Sequence, residues 1–380
     1  MKIVFFSNFM NHHQLYFCLE MQKRLGEGFT FVATEDVPAE RLALGYYDLN
    51  HRYDFILNAQ DSPENAAKAK KLAETCDVMI LGSAPEDYLR ERMKANKLTF
   101  RFTERPLKTG RGRLLRPRSL KWMLQTHTKY CFKKLYLLGA SAYAAGDFAL
   151  AGAYLGKSYK WGYYPPVKRY DDLERLFELK QKSDASILWT ARFIEWKHPE
   201  APLTVAKRLR DDGYHFRMNL IGGGVLEEKI KSFIQKNGLA DRVHLLGTMS
   251  PDEVRRHMEE SKIFLFTSDR NEGWGAVLNE AMNSGCAVVA NRAIGSVPFL
   301  IRDGENGLIY RDAQELYQKV KFLLDEKAER EKIGIHAYQT MVTLWNPETA
   351  AERFLTLSEA LLNGKKLMYE EGPLSHAKLL

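Results

Sequence analysis

The chain has 380 residues, 45% hydrophobic and 27% charged, a balance that fits a soluble globular protein with room for two or three domains. No run of eighteen apolar residues occurs, which excludes a spanning helix of ordinary hydropathy. The opening Met1-Lys2-Ile3-Val4-Phe5-Phe6 reads as a strand instead of a secretory leader. The net charge is +8. Cys18, Cys76, Cys131 and Cys286 have neither CxxC nor metal-ligand spacing, so buried thiols in a reducing cytoplasm are expected.

Taken in chain order, the apolar pattern predicts a strand over 2–7, a helix over 13–24 and a strand over 29–33. A helix over 65–76 follows, then strands over 78–81 and 98–102. Residues 140–153, rich in small side chains, read as helix or loop. At Trp161-Gly162-Tyr163-Tyr164-Pro165-Pro166 the pattern stops, because consecutive prolines forbid helix and disfavour a central strand. A second alternation opens with a strand over 186–191, a helix over 203–210, a strand over 216–221 and a helix over 226–236. Next come a strand over 243–246, a helix over 251–260 and strands over 262–266, 287–290 and 307–310. Helices over 313–324, 326–341 and 347–362 close it, ahead of a polar tail. The fold class expected is α/β with two doubly wound Rossmann-like domains. They are bounded at 1–165 and 166–345, with 346–380 as a helix and tail returning to the first.

The charge is uneven. Between Glu104 and Asp147 there is no Asp or Glu, yet the interval holds Arg105, Lys108, Arg111, Arg113, Arg116, Arg118, Lys121, Lys129, Lys133 and Lys134. Leu114, Leu115, Leu120, Trp122, Met123, Leu124, Tyr130 and Phe132 are interleaved with them. Such a segment favours an anionic membrane face or an anionic acceptor; a solvated basic loop is the plainer alternative. No recognised nucleic-acid module accompanies the charge, so nucleic acid is not an expected partner. The protein is expected in the cytoplasm, peripheral on the inner face of the plasma membrane through residues 105–134.

The most informative stretch is Asn271-Glu272-Gly273-Trp274-Gly275-Ala276-Val277-Leu278-Asn279-Glu280. It lies between the apolar runs Ile263-Phe264-Leu265-Phe266 and Ala287-Val288-Val289-Ala290, giving strand, glycine loop, helix, strand. Main-chain N–H groups and a helix start then face an anion, with one carboxylate on either side. Were the segment helical throughout, Glu272 and Glu280 would lie roughly 12 Å apart, the reach of a nucleotide sugar across its diphosphate.

Four segments of the second half resemble retaining glycosyltransferases of family 4, which have the two-domain GT-B fold. Thr190-Ala191-Arg192-Phe193-Ile194-Glu195-Trp196-Lys197 resembles the family's donor loop, and the resemblance implies that Arg192 and Lys197 bind the diphosphate. Fixed cations there would stabilise a leaving group that departs with extra negative charge. Ala191 and His198 stand where the family usually carries glycine. Leu220-Ile221-Gly222-Gly223-Gly224 resembles a wall of the donor cleft, and Val243-His244-Leu245-Leu246-Gly247 resembles a main-chain contact to the base. The fourth segment resembles the family's Glu-x7-Glu motif. This implies that Glu280 binds ribose hydroxyls and Glu272 the transferred sugar, while Gly273, Trp274 and Gly275 offer N–H groups. Gly295-Ser296-Val297-Pro298 follows the pattern, but Phe299 replaces a common Glu.

The first half resembles the family only in outline. Its first turn, Ser7-Asn8-Phe9-Met10-Asn11-His12-His13-Gln14, lacks the glycines of a dinucleotide fingerprint. Asn11, His12 and His13 are candidate acceptor or sugar contacts, with helix capping by Asn11 equally available. Glu104 either serves the same role or pairs with Arg101 or Arg105. The resemblance implies hexose transfer with retention, from a UDP- or GDP-linked sugar to a glycan or lipid-linked glycan hydroxyl in surface polysaccharide synthesis. It also implies a C-terminal helix crossing back to the first domain and a cleft between the two. No cofactor is expected, and no metal, since no Asp-x-Asp motif occurs. The rival readings are a non-hydrolysing sugar-nucleotide epimerase, a glycan phosphorylase and a non-catalytic nucleotide-sugar-binding subunit.

Overall fold

A computed structural model describes residues 1–39 and 47–380. The chain divides into two units, Met1–Pro166 with Asn346–Leu380, and Val167–Trp345. Each is built on one wholly parallel sheet, with helices in the connections.

The first sheet contains β1 (Ile3–Ser7), β2 (Phe29–Ala33), β3 (Ile56–Asn58), β4 (Val78–Leu81), β5 (Thr99–Thr103), β6 (Leu135–Gly139) and β7 (Ser158–Lys160), in the order β3-β2-β1-β4-β5-β6-β7. Its central strands are buried on both faces, which is why Ile3-Val4-Phe5-Phe6 and Val78-Met79-Ile80-Leu81 are apolar without alternation. Local signals start the helices. Asn11 caps His12–Leu25, and Ser62 caps Pro63–Thr75, whose proline stands in the first turn.

Helix Pro347–Leu362 belongs to this unit and packs on His12–Leu25, where the Phe354 ring meets Phe17 edge-on at 6.0 Å. The polar tail is not loose. Leu374 N–H donates to the Lys160 carbonyl and Lys160 N–H to that of Ser375, both at 2.8 Å. Residues 374–377 thereby cover the β7 edge in antiparallel sense.

The second sheet contains β8 (Ala185–Thr190), β9 (Arg217–Ile221), β10 (Val243–Leu245), β11 (Ile263–Phe266), β12 (Ala287–Asn291) and β13 (Leu308–Tyr310), in the order β10-β9-β8-β11-β12-β13. Its core joins Ile187, Trp189, Met218, Leu220, Ile263, Leu265 and Val289 to the inner faces of the flanking helices.

Several elements differ from expectation. The edge strands β3 and β7 have three residues each, too few for a periodicity. Strand β6 follows directly on the basic segment, which hides its start. Helices Asp87–Lys94 and Pro117–Thr126 bury only three residues and one residue respectively, and so lack a readable stripe. Helix Leu173–Lys182 begins where the proline-rich stretch had obscured the pattern. Of residues 140–153 only Ala144–Ala149 are helical. Cys18, Cys76 and Cys286 are buried thiols, while Cys131 is half-exposed. No helix among the described residues is long and apolar enough to cross a membrane.

Candidate active site

In the second unit the strand order reverses between the neighbours β8 and β11. Connections leave their carboxyl ends in opposite directions, which opens a crevice at that point. The β8 loop carries Arg192 and Lys197, and the β11 loop carries Ser268 and Glu272. Across the crevice Lys197 Nζ donates to Glu272 Oε2 in an ion pair whose side chains are only 13% and 11% exposed. The buried Ser268 hydroxyl donates to the same oxygen at 2.9 Å. Thr267 Oγ1 accepts from Trp189 Nε1 and donates to the Lys197 carbonyl, each at 2.7 Å. Asp269 N–H donates to the Trp196 carbonyl at 3.0 Å. These bonds lace the two loops together and fix where the cation and the carboxylate meet.

Arg192 is exposed, with its guanidinium carbon 6.0 Å from the Trp196 ring centre; Lys197 Nζ lies 4.3 Å from the same ring. One indole ring thus lies close to both cations. His198, the next residue, has φ 52° and ψ 57°, the left-handed geometry that glycine adopts without strain. Its imidazole is held 2.8 Å from Glu200 Oε1 and 3.4 Å from Asp269 Oδ2. The loop shape that glycine gives elsewhere is reached here by a histidine with partners.

Beside this loop, Ala191 N–H donates to the Ile221 carbonyl at 3.1 Å and Phe193 N–H to that of Gly223 at 2.8 Å. Gly222 N–H donates to the Gly247 carbonyl and Leu246 N–H to that of Leu220, at 2.8 and 2.9 Å. Gly222, at φ 138°, lies so near the Ala191 carbonyl that a Cβ would run into it, whereas a Cβ on Gly223 would meet nothing closer than 3.5 Å. Main-chain bonds therefore bring Gly222, Gly223 and Leu246 alongside Arg192.

The Glu-x7-Glu stretch is not one helix. Helix Val277–Asn283 starts five residues after Glu272, so a separation based on helical rise does not apply. Residues 269–276 form a turn, in which Glu272 N–H donates to the Asp269 carbonyl and Gly295 N–H to that of Glu272. Ser296 Oγ donates to the Trp274 carbonyl at 2.6 Å. The Trp274 indole is buried, donating from Nε1 to Asn279 Oδ1 at 2.9 Å and packing 5.8 Å from Trp345 and 6.3 Å from Phe299. Phe299 stacks on Trp345 at 6.2 Å, which explains an aromatic residue in place of an acid. Trp274 thus anchors the loop through its side chain and through its carbonyl. Among the described residues nothing accepts from the N–H groups of Gly273 and Gly275.

Glu280 lies in the first turn of the short helix, half-buried. Burial pushes its carboxyl above the ordinary value, opposed by the positive charge of Arg255. Arg255 also clamps the end of that helix, donating to the Glu280 carbonyl at 3.2 Å and to Asn283 Oδ1 at 3.0 Å. Ser268, Trp196 and Arg255 were not singled out from the sequence. Ser268 stands one helical turn before Glu272 and Trp196 directly before Lys197, spacings that would have found both.

In the first unit, Asn11 Oδ1 accepts from the N–H groups of His13 and Gln14 at 3.0 and 3.1 Å, a capping role. His12 and His13 form the first turn of that helix, with ring centres 3.8 Å apart. Glu104 pairs with neither Arg101 nor Arg105. Arg101 is held by both oxygens of Glu86 and Arg105 by the buried Asp147. Glu104 instead accepts from Lys108 Nζ at 2.5 Å and Tyr163 OH at 3.0 Å. Tyr163 also faces the His13 ring at 5.4 Å. No group of three or more His, Cys, Asp or Glu among the described residues is placed to hold a metal ion.

Residues 172–340 match the family model described as "Glycosyl transferases group 1". That segment is a group 1 glycosyltransferase domain. It contains Arg192, Lys197, Glu272 and Glu280. A glycosyltransferase of Methanocaldococcus jannaschii of uncharacterised activity is 36% identical over 121 residues, 31% of this chain and 34% of that protein. The amylovoran biosynthesis glycosyltransferase AmsK of Erwinia amylovora is 30% identical over 182 residues, 46% of this chain and 44% of that protein. The chain thus covers less than half the length of these relatives. Among solved structures, Anabaena HepE in complex with UDP superposes with a TM-score of 0.70 at 17% identity, over 94% of this chain and all of that one. The fold around the group 1 glycosyltransferase domain is therefore GT-B.

Proposed function

We infer that the protein transfers a hexose, with retention, from a nucleotide diphosphate sugar to a hydroxyl of a glycan or lipid-linked glycan in surface polysaccharide synthesis. The Lys197–Glu272 pair at the strand-order reversal carries this reading. The pair joins a half-buried cation to a carboxylate suited to sugar hydroxyls, and Arg192 shares the Trp196 ring with that cation. The pyrophosphate of a donor attracts Lys197 more strongly than one carboxylate does, because it spreads more charge over more acceptors. Lys197 and Arg192 then hold the diphosphate, the N–H groups of Gly273 and Gly275 add oriented dipoles, and Glu272 turns to the sugar hydroxyls. Glu280 accepts from the ribose.

As the glycosidic C–O bond breaks, its electron pair passes to the departing phosphate oxygen, and fixed cations stabilise that charge without reorganisation. The same phosphate oxygen takes the proton of the acceptor hydroxyl as the new C–O bond forms on the same face. These cations supply the charge stabilisation that a divalent ion gives in other transferases. Similarity to AmsK, a glycosyltransferase of amylovoran biosynthesis, supports a polysaccharide pathway. Solved complexes of Anabaena HepE with UDP and UDP-glucose favour a UDP-linked donor.

A lipid-linked acceptor fits the face over residues 111–134. Leu115 and Phe132 are 87% and 94% exposed there, near exposed Arg113, Arg116, Arg118 and Lys121. Vesicle cosedimentation with and without anionic lipid tests that partner, and salt-insensitive absence of binding refutes it. For the donor, thermal-shift measurements against UDP-, GDP-, ADP- and TDP-sugars should single out one base. NMR of the product should show the donor's anomeric configuration. No response to any nucleotide sugar, or an inverted product, would overturn the reading. Turnover with inorganic phosphate as sole acceptor would favour the phosphorylase.

A further inference from the structure

At the amino-terminal edge of the second sheet, away from the strand ends that carry the candidate active site, lies a shallow hollow open to solvent. Its walls are helix Leu173–Lys182, the start of β11 and helix Lys327–Thr343. Phe177 and Gly285 line part of it, and Lys180, Lys262 and Arg330 bring three cations to it. Gln181 and Glu331 join across one side at 3.0 Å.

None of the three cations is paired with a carboxylate among the described residues. Lys180 Nζ, buried, spends its protons on the carbonyls of Met258 and Ser261, both at 2.7 Å, and on Cys286 Sγ at 3.7 Å. Lys262 Nζ makes one bond, to the Ser183 carbonyl at 2.8 Å. Arg330 uses Nη1 alone, on the carbonyls of Leu323 and Leu324. Each of these bonds satisfies carbonyls at a helix end, a structural task. That task leaves two N–H groups on Lys262, and Nε and Nη2 on Arg330, without an acceptor among the described residues. The arrangement is also strained electrostatically. Burial lowers the pKa of Lys262, and repulsion from Arg330 and Lys327 lowers it further, with Asp184 opposing. Glu331, in the same hollow, offsets part of the charge at Arg330; the repulsion left at Lys262 is costly unless a further anion offsets it.

We propose that this pocket binds a phosphate-class oxyanion, held by Lys262 and Arg330 over the charge of Lys180. Its oxygens supply the acceptors the spare donors lack, and its charge relieves the repulsion. The bound ion would tie three separate elements together at Gly285, two residues beyond the helix that carries Glu280. The wall residues recognise a phosphate group whether it is free or the head of a phosphomonoester.

The test is thermal unfolding with inorganic phosphate, with a sugar phosphate, and with chloride at matched ionic strength. It is run on the wild type and on Lys262→Gln, Arg330→Gln and Lys197→Ala. Phosphate should raise the wild-type Tm saturably, by about 2–4 °C at several times its Kd. The rise should persist in Lys197→Ala and vanish in Lys262→Gln. A sugar phosphate matching inorganic phosphate would show that the group itself is the ligand; a larger rise would name the monoester as the preferred source. An equal rise with chloride, or one retained in full in Lys262→Gln or in Arg330→Gln, overturns the proposal. Loss of the rise in Lys197→Ala alone also overturns it, by placing the phosphate in the donor crevice. The thermal response to nucleotide sugar reads the donor reading separately and should survive in Lys262→Gln.

Discussion

Lys197 and Glu272, 75 residues apart in the chain, meet as an ion pair shared with the Ser268 hydroxyl. A pair this sheltered is balanced only while both members are present, because either one alone is a partly buried charge without its counterpart. It is also the point where a donor would exchange the partner of Lys197.

Lys197→Ala and Glu272→Ala should each reduce sugar transfer by at least about 100-fold, the scale of losing one preorganised transition-state group. Far-UV and near-UV circular dichroism should remain native, with stability lower by about 1–3 kcal/mol. Wild-type turnover in either variant would remove the pair from the mechanism.

Gly222→Ala should be damaging and Gly223→Ala mild. An added methyl on Gly222 meets the Ala191 carbonyl at a positive φ, whereas Gly223 has ordinary space around it. The first change should cost more than about 2 kcal/mol and weaken nucleotide binding, and the second should cost no more than about 1 kcal/mol. Urea midpoints of the two variants side by side decide it, and equal midpoints would contradict the packing described.

At position 198 glycine should outperform alanine. Left-handed backbone costs a non-glycine residue about 1–2 kcal/mol, and His198 offsets part of this through Glu200 and Asp269. His198→Ala keeps the strain and loses the contacts, while His198→Gly loses both. Thermal melts should place the glycine variant about 1 kcal/mol above the alanine variant.

Stability should fall with acid through His127. This ring is buried, bonded by Nδ1 to Tyr154 OH at 2.7 Å, and held neutral by burial and by Arg101, its pKa pushed down to about 3. Its contribution is full above the unfolded value of 6.5 and is lost as pH falls from there toward 3. Between pH 7.5 and 5.0 the unfolded chain gains about 1.5 pK units of protonation free energy, about 2 kcal/mol. Urea titrations should show that loss in the wild type and a shallower one in His127→Gln.

Chelation should leave turnover unchanged if Arg192 and Lys197 carry the charge of the leaving diphosphate. Assays with and without EDTA, then with added magnesium or manganese, measure this directly. A metal requirement would reassign the diphosphate contacts.

Much of the fold was legible because its signals are local. Buried strands such as Phe29–Ala33 and Val78–Leu81 announce themselves as short apolar runs. The glycine turns and the Glu272–Glu280 spacing were likewise present in the string. Three-residue edge strands were not, since so few residues cannot show a period.

The chain by itself determined which side chains bring charge to the strand ends, because residue type and distance from a strand end are properties of a linear sequence. Partner choice was decided only in three dimensions. Glu104 reaches Lys108 and Tyr163 where Arg101 and Arg105 stand nearer along the chain, and Trp274 turns into an aromatic cluster with Phe299 and Trp345. Contacts between residues far apart in sequence depend on strand order and loop direction, and these follow from how whole sheets and helices pack.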